Sequence, residues 1–192
     1  MKIEVLNASL EQVPGEVLVL FHFLDHLLPR GPLARVDWIL NGLVSRLLYL
    51  GRSHGLRFES LLLSTSDKFM TGKVLVLGLG KKSDLRWDVL REAYAYGISI
   101  SAKLKARKIV LTFPEESSPA LLEEAARELL AGRLSGAAES AISVPDLQFL
   151  ITEKDSERRN RFLVHFRQED SGVADGLSLP GSLIERNPSC AT

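Results

Sequence analysis

Apolar residues run along this chain in two rhythms. Residues 16–23 (EVLVLFHF), 73–79 (KVLVLGL) and 108–113 (KIVLTF) are nearly continuous apolar blocks, the pattern of strands buried on both faces of a parallel sheet. Residues 2–6 alternate, residues 61–64 form a short β-prone run, and residues 147–152 and 161–166 read as two more strands joined by the charged turn 153–160. Between these blocks the apolar spacing changes to that of helices. Val36, Ile39, Leu40, Leu43, Val44, Leu47 and Leu48 follow the helical repeat and predict one helix stopped by Gly51, after a loop marked by Pro29, Gly31 and Pro32.

Two further helices follow. Ser83 or Asp84 is placed to cap a helix over about residues 85–105, whose inward face would hold Val89, Ala93, Gly97, Ile100 and Leu104. Gly97 costs this helix about 1 kcal/mol against alanine, and its expected return is a close approach to the sheet. Ser118-Pro119 reads as an N-cap followed by proline at the first helical position, opening a helix with Leu121, Leu122, Ala125, Leu129 and Leu130. That helix either stops at Gly132 or runs on to about residue 141. Strands alternating with helices predict an α/β domain in three layers, α/β/α, with a mixed, mostly parallel sheet. The last two strands are expected to pair as an edge hairpin. Residues 1–170 carry this pattern; residues 171–192, rich in Gly, Ser and Pro, are expected to pack poorly.

Composition narrows the function classes. Lys plus Arg and Asp plus Glu both number 24, so the formal net charge is zero, which argues against nucleic acid as the main partner. The densest basic run, Lys103, Lys105, Arg107 and Lys108, is explained by a solvated helix end. The most apolar stretch is interrupted by His22, Asp25 and His26 and predicts no membrane span. The single cysteine, Cys190, and an N-terminus without a signal-peptide pattern make a cytoplasmic protein the expectation.

Candidate chemistry is sparse. His22 and His26 have a spacing that binds zinc on a helix, but His22 falls at a strand end and no ligand cluster accompanies the pair. The hydroxyl-rich stretches 64–67 and 117–118 read as turns and caps, and the acidic pairs Glu115-Glu116 and Glu123-Glu124 as helix-start residues. Gly78-Leu79-Gly80-Lys81 lies between a strand and a helix. Exposed N–H groups there, with Lys81, would suit a phosphate, and the two glycines would let a ligand approach closely; the alternative is a tight turn that needs glycine for positive φ. The stretch lacks the third glycine of the dinucleotide fingerprint.

The order from Val36 to Phe113 resembles the N-terminal domain of the leucyl aminopeptidase (cytosol aminopeptidase) family. Its most specific part is Val74-Leu75-Val76-Leu77-Gly78-Leu79-Gly80-Lys81. VADGLSLPGSLIERNPSCAT, residues 173–192, is similar to the segment that links that domain to the catalytic one, except that Pro180-Gly181 interrupts its helix. The resemblance implies a macro-like fold. It also implies that the two metal ions and the catalytic residues would belong to a C-terminal domain that this stretch does not include, so no catalytic residue, no metal ligand and no cofactor is expected here. In the family this domain is associated with hexamer assembly and, in some bacterial members, with DNA binding. The leading expectation is therefore a non-catalytic module that self-associates or joins a full-length aminopeptidase. The alternatives are a module for a nucleotide or ADP-ribose-like ligand at Gly78, Gly80 and Lys81 and, third, a DNA-binding module.

Overall fold

The computed structural model describes residues 3–6, 8–130 and 146–150. Within them six strands form one sheet: β1 (Ile3–Leu6), β2 (Val17–His22), β3 (Ser60–Ser64), β4 (Lys73–Gly78), β5 (Lys108–Thr112) and β6 (Asp146–Leu150), in the order β1-β6-β5-β2-β4-β3. Only β3 runs antiparallel to its neighbour. The sheet is thus mixed and mostly parallel, as expected, but its antiparallel member is not the expected one. β6 lies inside the sheet, parallel to both β1 and β5. The second strand of the expected hairpin, residues 161–166, lies outside the described residues, as do the boundary at 170 and residues 171–192.

The period of two in the strands sorts their side chains onto two faces. Val17, Val19, Phe21, Leu75, Leu77, Ile109, Leu111, Leu147 and Phe149 face one layer, formed by α3 (Trp87–Lys103) and α4 (Pro119–Leu130). Leu18, Leu20, Val74, Val76 and Val110 face the other, formed by α1 (Gly31–Ile39) and α2 (Leu43–Tyr49). Two cores on the two faces of one sheet make the three-layer arrangement.

The centre of the first core is Tyr94. It is buried among Phe21, Trp87, Phe113 and Phe149, with its hydroxyl donating to the Thr112 carbonyl at 2.7 Å. Burial pushes its phenol well above the usual range, so it remains a donor. Gly97 makes the close approach its position predicts. A Cβ there would stand 3.0 Å from a Leu77 methyl and 3.4 Å from one of Val19. The buried face of α3 uses Leu90, Tyr94, Ile98 and Ser101 beside Val89, Ala93 and Gly97, while Leu104, just past the helix end, is 37% exposed. Ile100 is half-buried against the same core, so the buried face contains most of the expected positions and is widened to take in Tyr94.

Three helix boundaries differ from the expectation. The single helix through residues 36–48 is two helices, broken where Asn41 and Gly42 both take positive φ (57° and 74°). Gly42 N–H bonds to the Asp37 carbonyl and Asn41 N–H to Trp38, closing α1. The Asp37 carboxylate then accepts from Ser45 N–H and the Ser45 hydroxyl, holding the start of α2. The apolar repeat continues across the break because both short helices face the same core. The loop expected at 29–32 ends at Arg30, since Pro32 fits the first turn of α1. Neither Ser83 nor Asp84 caps α3: both lie in a 3-10 turn (Lys82–Asp84), and α3 starts after Arg86. By contrast, Gly51 (φ 67°) ends α2, with its N–H bonded to the Leu48 carbonyl and that of Arg52 to Leu47. The Ser118 hydroxyl caps α4 by accepting from Leu121 N–H at 3.2 Å.

Candidate functional site

In an open α/β sheet, ligands bind beyond the carboxyl ends of the strands, where successive connections leave on opposite faces. That point lies here between β2, which leads to α1 on one face, and β5, which leads to α4 on the other. The crevice is walled by His22, Phe23, His26, Arg30, Phe113 and Glu116, and what remains is a cavity of about 10 Å³, the room of a single water. Phe23 packs edge-on against His26, and His26 Nε2 lies 3.5 Å from the Glu116 carboxylate. That contact ties the β2–α1 loop to the β5–α4 loop. His22 and His26 therefore sit at a strand end and in a loop, and no metal-sized cluster of His, Cys, Asp or Glu occurs among the described residues. Burial, with His26 beside it, holds His22 below its ordinary range, and Glu59 acts the other way.

The Gly78–Lys81 turn adjoins this crevice on the other side of β2. Three of its four backbone donors are used within the chain. Gly78 N–H bonds to the Glu59 carbonyl (2.9 Å), Leu79 N–H to His22 (3.0 Å) and Gly80 N–H to Gly55 (2.8 Å). The Gly80 carbonyl accepts from Leu24 N–H at 2.8 Å. The two glycines are needed for different reasons. Gly78 has the chain itself pressed against it: a Cβ would stand 2.0 Å from the Leu56 carbonyl oxygen and 2.7 Å from the Gly55 carbonyl carbon. Gly80 has φ +78°, the left-handed region. The Lys81 side chain is exposed and makes no hydrogen bond or ion pair among the described residues, while its carbonyl accepts from Asp84 N–H at 3.1 Å. The next residue, Lys82, donates its N–H to the Asp25 carboxylate, which keeps that carboxyl below its usual range.

The segment that covers Gly78 is held by a residue the sequence did not single out. The Glu59 carboxylate accepts from His54 N–H, Leu56 N–H and the Ser53 hydroxyl. Burial raises its carboxyl and these bonds outweigh that, leaving it below its usual range. A lone glutamate before a short strand carries no sequence signal for such a role; only the folded loop supplies the donors.

A roomier open groove, about 560 Å³, separates the start of α3 from α4. Arg86 and Arg91 line it, but so do Asp88, Glu124 and Glu128, so its charges select no one sign of ligand. The basic run at 103–108 lies at the opposite end of the sheet from the crevice, around the C-terminus of α3, where cations complement the helix dipole. Among the described residues no helix is long and apolar enough to cross a membrane.

Comparison with known proteins agrees with this architecture. Over 78–87% of the chain, solved macrodomains and a leucine aminopeptidase superpose on it. A Trypanosoma brucei macrodomain in complex with ADP matches with TM-score 0.65 and 16% identity, covering 86% of this chain and 69% of that one. A point mutant of tomato leucine aminopeptidase matches with TM-score 0.62 and 17% identity, covering 86% of this chain and 35% of that one. At such identities the likeness concerns the fold. In sequence, the chain is 29% identical over 111 residues to a probable cytosol aminopeptidase of Sulfurihydrogenibium sp., covering 58% of this chain and 22% of that protein. It is 31% identical over 85 residues to one of Haemophilus ducreyi, covering 44% and 17%. The chain thus spans about a fifth of the length of the relatives it matches. The N-terminal domain model of the cytosol aminopeptidase family matches residues 19–139, from β2 past the end of α4. On that match the chain belongs to the cytosol aminopeptidase family, through its macrodomain-like N-terminal domain.

Proposed function

We propose that this chain is a non-catalytic assembly module that associates with itself or with a full-length aminopeptidase. The observation that carries the reading is the contrast between a filled crevice and an exposed apolar surface. At the strand ends, where this architecture receives ligands, about 10 Å³ remains and the neighbouring turn has spent three of its four backbone donors within the chain. Elsewhere, Trp38 is 78% exposed and Tyr49 91% exposed. Large aromatic side chains in water are the usual anchors of protein contacts.

The test uses purified chain. Light scattering is expected to give a mass above that of one chain, or above that of the enzyme alone when a full-length relative is added. A leucyl amide substrate with zinc or manganese is expected not to turn over. A monomer that also ignores the relative would end this reading.

One observation favours a second reading, a small-ligand module: solved neighbours of the same fold carry ADP, including an Oceanobacillus iheyensis macrodomain that matches with TM-score 0.61 and 15% identity. Calorimetric titration with ADP separates the two. Saturable binding that Lys81→Ala abolishes, in a protein that stays folded, would make the ligand module the better account.

A further inference from the structure

β3 is one of the two edge strands of the described sheet, and about half of its bonding capacity is unspent among the described residues. Gly78 N–H bonds to the Glu59 carbonyl, and Thr65 N–H to Gly72. In an antiparallel ladder the direction of the backbone groups alternates along the strand. Residues 59, 61, 63 and 65 therefore bond to β4, while Ser60, Leu62 and Ser64 point their N–H and C=O groups away from the sheet. Among the described residues no backbone group pairs with them. All three residues are exposed, and Leu62 retains 44% of its accessible surface. The devices that normally guard an edge are missing: β3 has no lysine, no proline and no charge.

The sequence of this strand, Ser60-Leu61-Leu62-Leu63-Ser64, reads the same in both directions. Its centre, Leu62, is one of the outward-pointing residues. A second copy turned about a two-fold axis through Leu62 would place Leu62 opposite Leu62, Leu61 opposite Leu63, and Ser60 opposite Ser64. Leu62 would exchange both of its backbone bonds with its counterpart, and Ser60 with Ser64 of the second copy would do the same. A closed, isologous contact of this kind needs only one self-complementary patch. Glu59 would face Thr65 of the second copy, so like charges do not meet. The Glu59 carboxylate is in any case turned inward onto Ser53, His54 and Leu56.

We infer that β3 is a self-association edge, where two copies of this chain pair antiparallel about Leu62 to form one continuous sheet. This rests on the assembly reading and names its surface and partner. It also accounts for Leu62, a large apolar residue on the α3 side of an edge that α3 does not cover: its counterpart covers it.

The test is light scattering of the full chain over a hundredfold concentration range, with two sets of variants. Leu62→Lys sets two ammonium groups face to face and removes the apolar contact. It is expected to weaken dimerisation by about tenfold or more while circular dichroism stays that of the folded chain. In a Cys190→Ser background, Leu62→Cys is expected to oxidise to a covalent dimer, because directly opposed residues lie about 5.5 Å apart between Cα atoms. Ser60→Cys is not, since its counterpart is Ser64. If Leu62→Lys does not fold, the two cysteine variants decide. A dimer indifferent to Leu62→Lys, with no Leu62→Cys cross-link, overturns the edge and leaves the assembly reading standing. A monomer at every concentration overturns the edge and self-association together. Amide-exchange protection of residues 60, 62 and 64 in a monomer also overturns it, since the chain itself would then cover the edge.

Discussion

The two flanks of β4 use their backbone in opposite ways. At its carboxyl end Gly78, Leu79 and Gly80 are locked to Glu59, His22 and Gly55, and a glycine without a side chain lets the 55–56 segment press against the strand. Along its side, β3 offers three residues whose donors and acceptors meet nothing among the described residues. The strand ends, where open α/β sheets receive ligands, are filled here, and among the described residues the β3 flank, of the kind most proteins guard, is open. Unspent hydrogen-bond capacity, more than sequence motif, marks where this domain can still gain free energy by contact.

The contrast breaks most visibly at Gly78. Alanine there would place a methyl against two backbone groups that cannot turn aside, forcing the 55–59 loop off the strand. Gly78→Ala is expected to destabilise by about 3 kcal/mol or more, read from denaturant unfolding; a loss under about 1 kcal/mol would mean the covering loop is not packed as described. Gly80→Ala should cost less, about 1–2 kcal/mol, because its new contact is a flexible Arg57 methylene and the main penalty is the left-handed φ.

Protonation sharpens the same comparison. His22 is buried at the closed end with its pKa held below the ordinary value. The unfolded chain therefore binds the proton more readily, and stability contributed by neutral His22 is complete above about pH 6.5 and declines as pH falls through the lower folded value. Unfolding at pH 5.5 should show a less stable protein than at pH 7.5, and His22→Gln should flatten that difference. Asp25 and Glu59, also held low, add their loss only at more acid pH. An unchanged pH profile in His22→Gln would assign the acid sensitivity elsewhere.

The smallest effect is expected at Lys81. Its side chain is exposed and carries no ion pair among the described residues, so Lys81→Ala should stay within about 0.5 kcal/mol. A larger loss of stability would show that the closed end depends on this lysine after all.

Much of the fold was legible in sequence because it rests on local rules. Continuous apolar blocks located β2, β4 and β5, since a strand with helices on both faces must be apolar on both. Gly51, Gly97 and Ser118-Pro119 each did the task their residue type suits best. The helix break at Asn41-Gly42 was hidden because both halves serve one core and so preserve the repeat. At the candidate site, the sequence located the Gly78–Lys81 turn and named glycine's two uses, a close approach or a positive φ. Only the tertiary structure assigned one use to each glycine, and it made the close neighbour the protein's own 55–56 segment. It also decided the placement of β6 between β1 and β5, the antiparallel run of β3, and the closing of the crevice by Phe23, His26 and Glu116. The physical reason is the same in each case. Strand order and loop packing depend on contacts between residues far apart in the chain, and no local spacing encodes which distant backbone will take up a free donor.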